Sequence, residues 1–383
     1  MKIARLATVP FFLYNHLRNQ ITATIEAGHD VTLISSEGPE TEWLKKISGV
    51  KLVTIDIPRK ISPTRDIIAL WKLFRFFRKE KFDIVHSTTP KAGMLSAIAS
   101  RLAGTPIRLH TFTGQAWVEM SGLLRIIAKA GDWLTARLNT LCYADSHSQM
   151  NFIVEERVCL SHRINVIGAG SLSGVDLSRF SPDRWKDSRK HILQEIGIPP
   201  DSLVISFIGR ITRDKGVNEL LSAFALLRDS GFSCTLLMIG PVENSDGSFS
   251  DTLTVKSDPA VRFIGYTQEP ERFLSVTDIF CLPSYREGFG NVIIEAAAMG
   301  VPSIGTDIVG LRNSIVNGET GILVPTQNVK ALEHALKTLL TNENKRKEMG
   351  SKAQARARQM FSSECVTKAL LEEYARLHRK KIL

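Results

Sequence analysis

The feature that most constrains the fold of this chain is a regular alternation of short apolar segments and helix-like segments. In the first half, β-rich runs such as KIARLAT and FDIVHS alternate with runs such as SPTRDIIALWKLFRFFRKEK. The pattern restarts after residues 170–190 with SLVISFIGR and VNELLSAFALLRDSG. Apolar strands separated by helices predict parallel sheets with helices on both faces. We therefore predict an α/β protein built from two doubly wound domains.

The chain length agrees with two domains, because 383 residues exceed one typical hydrophobic core. We predict an N-terminal domain over residues 1–175 and a C-terminal domain over residues 190–360, joined near GSLSGVDLSRFSPD. A last helix, in residues 361–383, is expected to pack back on the N-terminal domain. In such sheets ligands bind at the carboxyl ends of the strands, so functional side chains are expected in the loops there.

Several classes of protein are disfavoured by the sequence. No apolar run approaches the ~20 residues that a bilayer-spanning helix needs. The first residues, MKIARLATVPFFLYNH, lack the pattern of a signal peptide and fit a first strand. The five cysteines include no C-x-x-C pair, so we expect a reducing cytosol and neither a disulfide framework nor a zinc site. No Asp is followed by another Asp two residues later, so an Asp-x-Asp metal site is not expected.

The formal charge of +10 comes mainly from the first half, where residues 1–175 contain 22 Lys and Arg against 14 Asp and Glu. A basic surface attracts nucleic acid, anionic lipid or phosphorylated small molecules. Nucleic acid is the less favoured partner, because no recognition motif accompanies the charge. An ordinary solubility surface is the alternative interpretation.

Two loops of the second half carry the residues with the clearest chemistry. In SFIGRITRDKGVNELL a strand ends at Gly209, and Arg210 and Lys215 precede a helix. Arg binds two oxygens at once, Lys acts as a point charge, and a helix N-terminus adds N–H donors, so the segment fits a diphosphate. The alternative is that Arg210 and Lys215 are ordinary surface residues of a loop.

The second loop lies in REGFGNVIIEAAAMGVPSI, where Glu287 and Glu295 bracket a Gly-Phe-Gly turn. Gly288 and Gly290 permit close backbone approach to a ligand. Glu295 is expected about one turn into an apolar helix, where its carboxylate could accept both hydroxyls of a ribose. The alternative for Glu295 is a surface partner at i,i+4, although its neighbours leave little polar face.

Together these stretches resemble family 4 retaining glycosyltransferases of the GT-B fold. The resemblance rests on G-R-x-x-x-x-K-G at 209–216, on E-x7-E at Glu287 and Glu295, and on VNGETGILVP at 316–325. FDIVHSTTPKAG, HTFTGQAW and INVIGAGSLSGVDLSRF are similar to the bacterial polysaccharide, O-antigen and capsule branch. The resemblance implies two Rossmann-like domains that face a cleft, with the acceptor on the first domain and the nucleotide-sugar on the second.

Mapped onto this chain, the resemblance implies a role for each matched residue. Arg210 and Lys215 would neutralise the donor diphosphate, Glu295 would bind the ribose, and Glu287 would face the donor sugar. The backbone of the turn would hold sugar hydroxyls or phosphate; the donor-binding set is Gly209, Gly288, Phe289, Gly290, Asn291 and Glu295. It also implies same-face attack with retention, in which the leaving phosphate takes the acceptor proton. The Arg and Lys pair would replace a metal, and no cofactor is expected.

The first half offers weaker candidates. Relatives in the family carry a cleft histidine in the HTFTG loop, and we expect His110, at the end of the strand IRLH, or Thr113 to take that role. His86 and Lys91 could meet an acceptor phosphate, and His16 is a weak candidate after the first strand, where TVPFFLYNH replaces the family's Gly-Gly loop. The alternative for His86 and His110 is a histidine satisfied within the fold.

Two segments fit an anionic membrane surface, because basic residues alternate with large apolar ones. The first is KLFRFFRKEK, with Phe74, Phe76 and Phe77 among its cations, and the second is SGLLRIIAKAGDWLTARL. Ordinary amphipathic helices are the alternative. We therefore predict a cytoplasmic, peripherally membrane-attached hexosyl- or N-acetylhexosaminyl-transferase that uses a nucleotide-sugar, with UDP favoured, and a polyprenyl-diphosphate-linked or other lipid-linked saccharide. An epimerase-like enzyme or a non-catalytic sugar-nucleotide or membrane-binding module is the alternative.

Overall fold

A computed structural model describes residues 1–59, 62–243 and 258–382. The chain divides into two compact units. Unit 1 combines Met1–Gly174 with Ser363–Leu383, and unit 2 comprises Val175–Ser362. Each unit contains a parallel sheet, so the predicted α/β class is confirmed.

Unit 1 is built on a seven-stranded sheet with the order β3-β2-β1-β4-β5-β6-β7. The strands are β1 (Lys2–Leu6), β2 (Asp30–Ser35), β3 (Val50–Thr54), β4 (Ile84–Ser87), β5 (Ile107–Phe112), β6 (Leu141–Ala144) and β7 (Ile164–Val166). The helices are α1 (Pro10–Glu26), α2 (Thr41–Lys45), α3 (Pro63–Glu80), α4 (Pro90–Leu102), α5 (Gly122–Leu138) and α6 (His147–Glu155), with the C-terminal helix Ser363–Ile382.

Unit 2 is built on a six-stranded sheet with the order β10-β9-β8-β11-β12-β13. The strands are β8 (Leu203–Ile208), β9 (Cys234–Ile239), β10 (Val261–Gly265), β11 (Ile279–Leu282), β12 (Ser303–Thr306) and β13 (Gly321–Val324). The helices are α7 (Arg189–Glu195), α8 (Val217–Asp229), α9 (Pro270–Leu274), α10 (Asn291–Ala298), α11 (Val329–Thr341) and α12 (Glu343–Met360); the helix Ser363–Ile382 of unit 1 is α13.

Apolar residues at helical spacing hold the helices on the sheets. In α1, Leu13, Leu17 and Ile21 recur every four residues and are buried. In α8, Leu220 and Phe224 do the same. Side chains four apart lie on one face of a helix, and full burial of each contributes about 1.5–3 kcal/mol relative to exposure. These stripes therefore fix which face of each helix contacts its sheet.

Both sheets contain a point where the strand order reverses. In unit 1 it lies between β1 and β4, and in unit 2 between β8 and β11. The loops on either side of such a point diverge to opposite faces of the sheet, which opens a crevice for ligands. The loops after β8 and β11 are the two that the sequence singled out.

Two details of the first half differ from the sequence prediction. The segment TVPFFLYNH was compared with a loop after β1, but α1 already begins at Pro10, which as the first helical residue has no N–H that needs a partner. His110 was expected at the end of a strand, but β5 continues to Phe112. None of the helices within the described ranges combines the length and apolarity needed to cross a membrane.

Candidate active site

A glycine contact joins the two loops at the switch point of unit 2. Gly216 follows Lys215 and has a φ of +67°, in the left-handed region that side chains rarely adopt. A Cβ at this position would lie 2.0 Å from the carbonyl oxygen of Pro283, which follows β11. The backbone of Tyr285 also donates to the carbonyl of Asp214, at 2.9 Å. The two loops are therefore packed backbone against backbone.

This packing brings Lys215 and Glu287 into direct contact. Lys215 Nζ lies 2.6 Å from Glu287 Oε1, and the hydroxyl of Ser284 donates to the same oxygen at 2.8 Å. Both side chains of the ion pair are about 15% exposed. Glu287 Oε2 receives no hydrogen bond from the described residues, so that this oxygen is free for a ligand.

The turn that follows Glu287 leads directly into α10. Gly290 caps the helix with a φ of +71°, and Asn291 is its first residue. Phe289 is buried and packs against Phe361, with ring centroids 5.2 Å apart, so it offers a ligand its backbone and not its ring. The first N–H groups of a helix have no partner inside the helix, and they attract anions. The half-buried Gly288 completes a backbone able to approach a phosphate or a sugar.

Arg210 lies in the same loop as Lys215 but has other partners. Its Nη1 donates to Glu243 Oε2 at 2.9 Å, and its Nη2 lies 3.7 Å from Asp214 Oδ2. The Arg210 side chain is half exposed. An exposed ion pair is weak, so an incoming anion could replace Glu243 at low cost.

Glu295 lies within α10, as predicted, in a half-buried position. Burial raises the pKa of its carboxyl group to about 7, while the charge of Arg179 opposes the shift and that of Glu271 adds to it. Arg179 itself binds Glu271 through two hydrogen bonds of 2.7 and 3.2 Å. The carboxylate of Glu295 accepts no hydrogen bond within the described part of the chain, which leaves both oxygens for a ligand.

The two histidines of unit 1 are held inside the fold. His110 is 1% exposed, its Nδ1 lies 2.9 Å from Ser87 Oγ, and its ring fills the space beside Gly93. Burial lowers the pKa of His110 to about 3. His86 Nδ1 lies 2.7 Å from Tyr374 of α13, and burial lowers its pKa well below the ordinary value. Both rings are therefore neutral near pH 7, and their predicted roles toward substrate stay predictions.

The remaining candidates of unit 1 lie after β1, β4 and β5, which are neighbours in the sheet. Lys91, in the first turn of α4, forms an ion pair with Asp66 at 2.7 Å. Thr113 is half-buried and directly follows β5. His16 is half-buried against Phe12, with ring centroids 5.0 Å apart, and burial lowers its pKa to about 4.

The sequence did not single out three neighbours of the site. Ser284 donates to Glu287, and the charges of Arg179 and Glu271 act on the carboxyl group of Glu295. Arg179 lies 92 residues from Glu271, so no local pattern could pair them. No signal in the sequence marked Glu271, because acidic residues are common in the first turn of a helix and its burial, at 3% exposed, is visible only in the structure. Among the described residues, no three His, Cys, Asp or Glu side chains are grouped as metal ligands.

Comparison with known proteins identifies the family of the chain. Residues 188–356 match the model "Glycosyl transferases group 1", and residues 15–170 match "Glycosyl transferase 4-like domain". The chain is 32% identical over 364 residues to the capsular polysaccharide biosynthesis glycosyltransferase CapM of Staphylococcus aureus, covering 94% of this chain and 93% of the relative.

Two further proteins are similar over most of their length. The UDP-Gal:α-D-GlcNAc-diphosphoundecaprenol α-1,3-galactosyltransferase of Escherichia coli is 28% identical over 318 residues, which cover 80% of this chain and 79% of that one. The crystal structure of Anabaena Alr3699/HepE in complex with UDP and glucose superposes with a TM-score of 0.80 at 18% identity, covering 98% of this chain and 99% of that one. The fold is thus GT-B, and the chain belongs to the group 1 glycosyl transferases, the family 4 type that its motifs predicted.

Proposed function

We propose that the chain transfers a sugar from a UDP-sugar to a saccharide carried on a polyprenyl diphosphate, during synthesis of a bacterial surface polysaccharide. The observation that carries the proposal is the contact between Lys215 and Glu287 beside the first turn of α10. A cation, a carboxylate and the N-terminus of a helix meet there, which is what an activated sugar on a diphosphate requires. Arg210 in the same loop provides a second cation.

The two residues of the ion pair are expected to bind different parts of the donor: Lys215 the diphosphate and Glu287 the sugar. A diphosphate oxygen replaces Glu287 on Lys215, and the freed carboxylate then accepts hydroxyls of the sugar. As the bond from the anomeric carbon to the diphosphate oxygen breaks, negative charge grows on that oxygen, and Lys215, Arg210 and the N–H groups of α10 stabilise it. One such prepositioned donor lowers the activation free energy by about 3 kcal/mol. The acceptor hydroxyl oxygen forms the new bond on the same face, and its proton passes to the leaving phosphate.

The names of relatives support the substrates. The Escherichia coli relative is named for UDP-Gal and for a diphosphoundecaprenol acceptor, and the Anabaena structure holds UDP and glucose. Glu295 supports a nucleotide on unit 2, because its unpaired carboxylate lies in the helix that also begins at the predicted phosphate site. We include independence from metal in the proposal, because the two cations fill the role that a metal would have. An acceptor anchored in a bilayer further requires peripheral attachment at the cytoplasmic face of a membrane.

The test is transfer by the purified full chain. A set of radiolabelled UDP- and GDP-sugars is offered with and without a GlcNAc-diphosphate-lipid acceptor, in buffer with EDTA and again with Mg²⁺. We expect one UDP-sugar to label the lipid product in both buffers. Lys215→Ala should slow the labelling about 100-fold or more, while the exposed Lys330→Ala should not.

The other outcomes separate the alternatives. Release of an altered UDP-sugar without lipid product indicates an epimerase. UDP binding without any turnover indicates a non-catalytic module. Labelling only in the presence of Mg²⁺ contradicts the metal-independent part of the proposal, and labelling only from GDP-sugars contradicts the choice of UDP.

A further inference from the structure

The first two turns of α5 are exposed on all sides although they are apolar. All residues in 121–127, SGLLRII, are exposed, and Leu123, Leu124 and Ile126 are 70%, 61% and 65% exposed. A helix that water surrounds on every side is normally polar, because nothing covers its apolar side chains. Contiguous exposed apolar surface of this kind marks an interaction site.

A second group of exposed apolar residues lies on α3. Ile67, Ile68 and Trp71 are each more than half exposed. The phenylalanines that the sequence placed at a membrane lie elsewhere: Phe77 is buried, and Phe74 and Phe76 pack against the same core. The membrane interpretation of KLFRFFRKEK was thus wrong for its aromatic residues, since they face the sheet, and the exposed apolar residues come from the preceding turns.

The topology places both groups on one side of unit 1. Helices α3, α4 and α5 connect β3 to β4, β4 to β5 and β5 to β6, which is a single direction across the sheet. Right-handed crossovers in one direction lie on one face of a sheet, and α4 indeed packs against both α3 and α5. Each helix begins at the carboxyl edge of the sheet, so the two exposed groups lie at that edge, as do the acceptor candidates Lys91 and Thr113.

Basic residues predominate among the exposed charges around these residues, and exposed Asp56, which pairs with Arg65 of α3, is an acidic exception. Exposed basic residues alternate with the apolar ones, and Lys72 and Arg125 have no acidic partner within the described part of the chain. The acidic residues of the two helices are already engaged: Lys91 pairs with Asp66, Lys2 with Glu80, and Trp117 donates to Asp132. Glu119, three residues before the start of α5, is an exposed acidic residue beside the apolar residues of that helix in the sequence.

We infer that unit 1 docks on an anionic bilayer through a docking surface formed by Ile67, Ile68 and Trp71 of α3 and Leu123, Leu124, Ile126 and Ile127 of α5. Apolar side chains flanked by cations lie in the boundary between lipid headgroups and acyl chains, about 5–10 Å deep, and the cations bind anionic headgroups. The excess of one charge favours a bilayer over a second copy of the chain, whose matching surface would repel it. The inference deepens the proposed function, because it brings the carboxyl edge of unit 1 to the surface where a lipid-linked saccharide is presented.

Vesicle sedimentation of the purified full chain, without any nucleotide-sugar, tests the inference. Phosphatidylcholine vesicles are compared with vesicles that also contain phosphatidylglycerol. We expect at least about tenfold tighter binding to the anionic vesicles, because each cation near the surface contributes to binding. The double variant Leu124→Glu/Ile127→Glu should bind about a hundredfold more weakly, and Arg125→Glu about tenfold more weakly. The matched control is Leu226→Glu, an exposed leucine of α8 in unit 2, which should bind as the wild type does.

UDP binding, measured on the same samples by calorimetry, keeps the two proposals distinguishable. It should be equal in all variants, so a failure of vesicle binding with intact UDP binding overturns only the docking surface. Equal binding to both kinds of vesicle overturns the role of the charges. A third outcome is that the wild type is a dimer, the double variant is a monomer, and both bind vesicles equally. That outcome would assign the surface to a second copy of the chain and overturn the inference.

Discussion

Both sheets carry polar side chains near the point where the strand order reverses. Those of unit 2 are charged and partly accessible, whereas those of unit 1 are neutral and buried. In unit 2, Lys215 and Glu287 are partly accessible ions bound to each other. In unit 1, His86 and His110 are 1% exposed and neutral; His86 contacts a hydroxyl group through each ring nitrogen and His110 through one. An accessible ion pair exchanges its internal partner for a ligand at modest cost, whereas a buried hydrogen bond is lost only with a penalty of about 1–3 kcal/mol. Substitutions in unit 2 should therefore change ligand binding, and those in unit 1 should change stability.

The largest effect that tests this comparison is expected from Lys215→Ala. Removal of the cation that faces the leaving diphosphate should lower kcat/KM about 100- to 1000-fold, which corresponds to about 3 kcal/mol. The melting temperature should change little, because the lysine is a loop side chain. Steady-state kinetics and thermal unfolding measure both quantities, with Lys330→Ala as control. An unchanged kcat/KM would contradict a role of Lys215 in the transfer reaction.

His86→Ala tests the opposite half. The change removes partners of Arg5, Tyr374 and Thr111 in a buried network, so the free energy of unfolding should fall by about 2 kcal/mol. The folded fraction should keep its kcat and its KM for acceptor. Urea unfolding followed by kinetics at low urea separates the two effects, and the exposed His334→Ala is the control. A raised KM at normal stability would restore His86 as an acceptor-binding residue.

A buried carboxyl group in unit 1 gives an effect of the opposite sign on stability. Burial raises the pKa of Asp145 to about 8, and its Oδ1 has no hydrogen-bond partner among the described residues. The folded state then keeps a proton that the unfolded state has lost, so stability falls as the pH rises from the ordinary pKa of about 4 to 8. Asp145→Asn lacks this titration, so its stability relative to the wild type should increase between pH 4 and pH 7, by up to about 4 kcal/mol. Urea unfolding across that range checks it, and a destabilised variant at pH 7 would mean that the ionised carboxylate is bound.

The smallest effect concerns the pH dependence of donor binding. The pKa of Glu295 is raised to about 7, and the ionised form accepts hydroxyl hydrogen bonds best. Affinity for UDP-glucose, whose diphosphate has no proton to lose near neutral pH, should rise about threefold from pH 6 to pH 8. Glu295→Gln should bind more weakly than the wild type at pH 8 and show no such rise. Calorimetry measures it, and an equal rise in the variant would assign the titration to another group.

Local patterns predicted much of this molecule, and long-range partners account for what they missed. The start of α10 at Asn291 and the position of Glu295 within it followed from a glycine turn and an apolar run. The contact between Lys215 and Glu287 spans 72 residues, and it arises because β8 and β11 are neighbours although β9 and β10 lie between them in the chain. His110 was placed at the end of the strand IRLH, whereas the buried register of β5 continues for two more residues. Register and strand order depend on the whole sheet, so a single segment does not reveal them.

The most direct test of the account is calorimetric titration of UDP into the wild type, Lys215→Ala and Glu287→Gln. If the diphosphate replaces Glu287 on Lys215, the first variant should bind UDP about tenfold or more weakly. The second variant should bind it as well as the wild type or better, because no carboxylate then competes for the cation, while sugar transfer is lost. Equal UDP affinity in all three proteins, or weaker binding by Glu287→Gln than by Lys215→Ala, would contradict a donor site built on this ion pair.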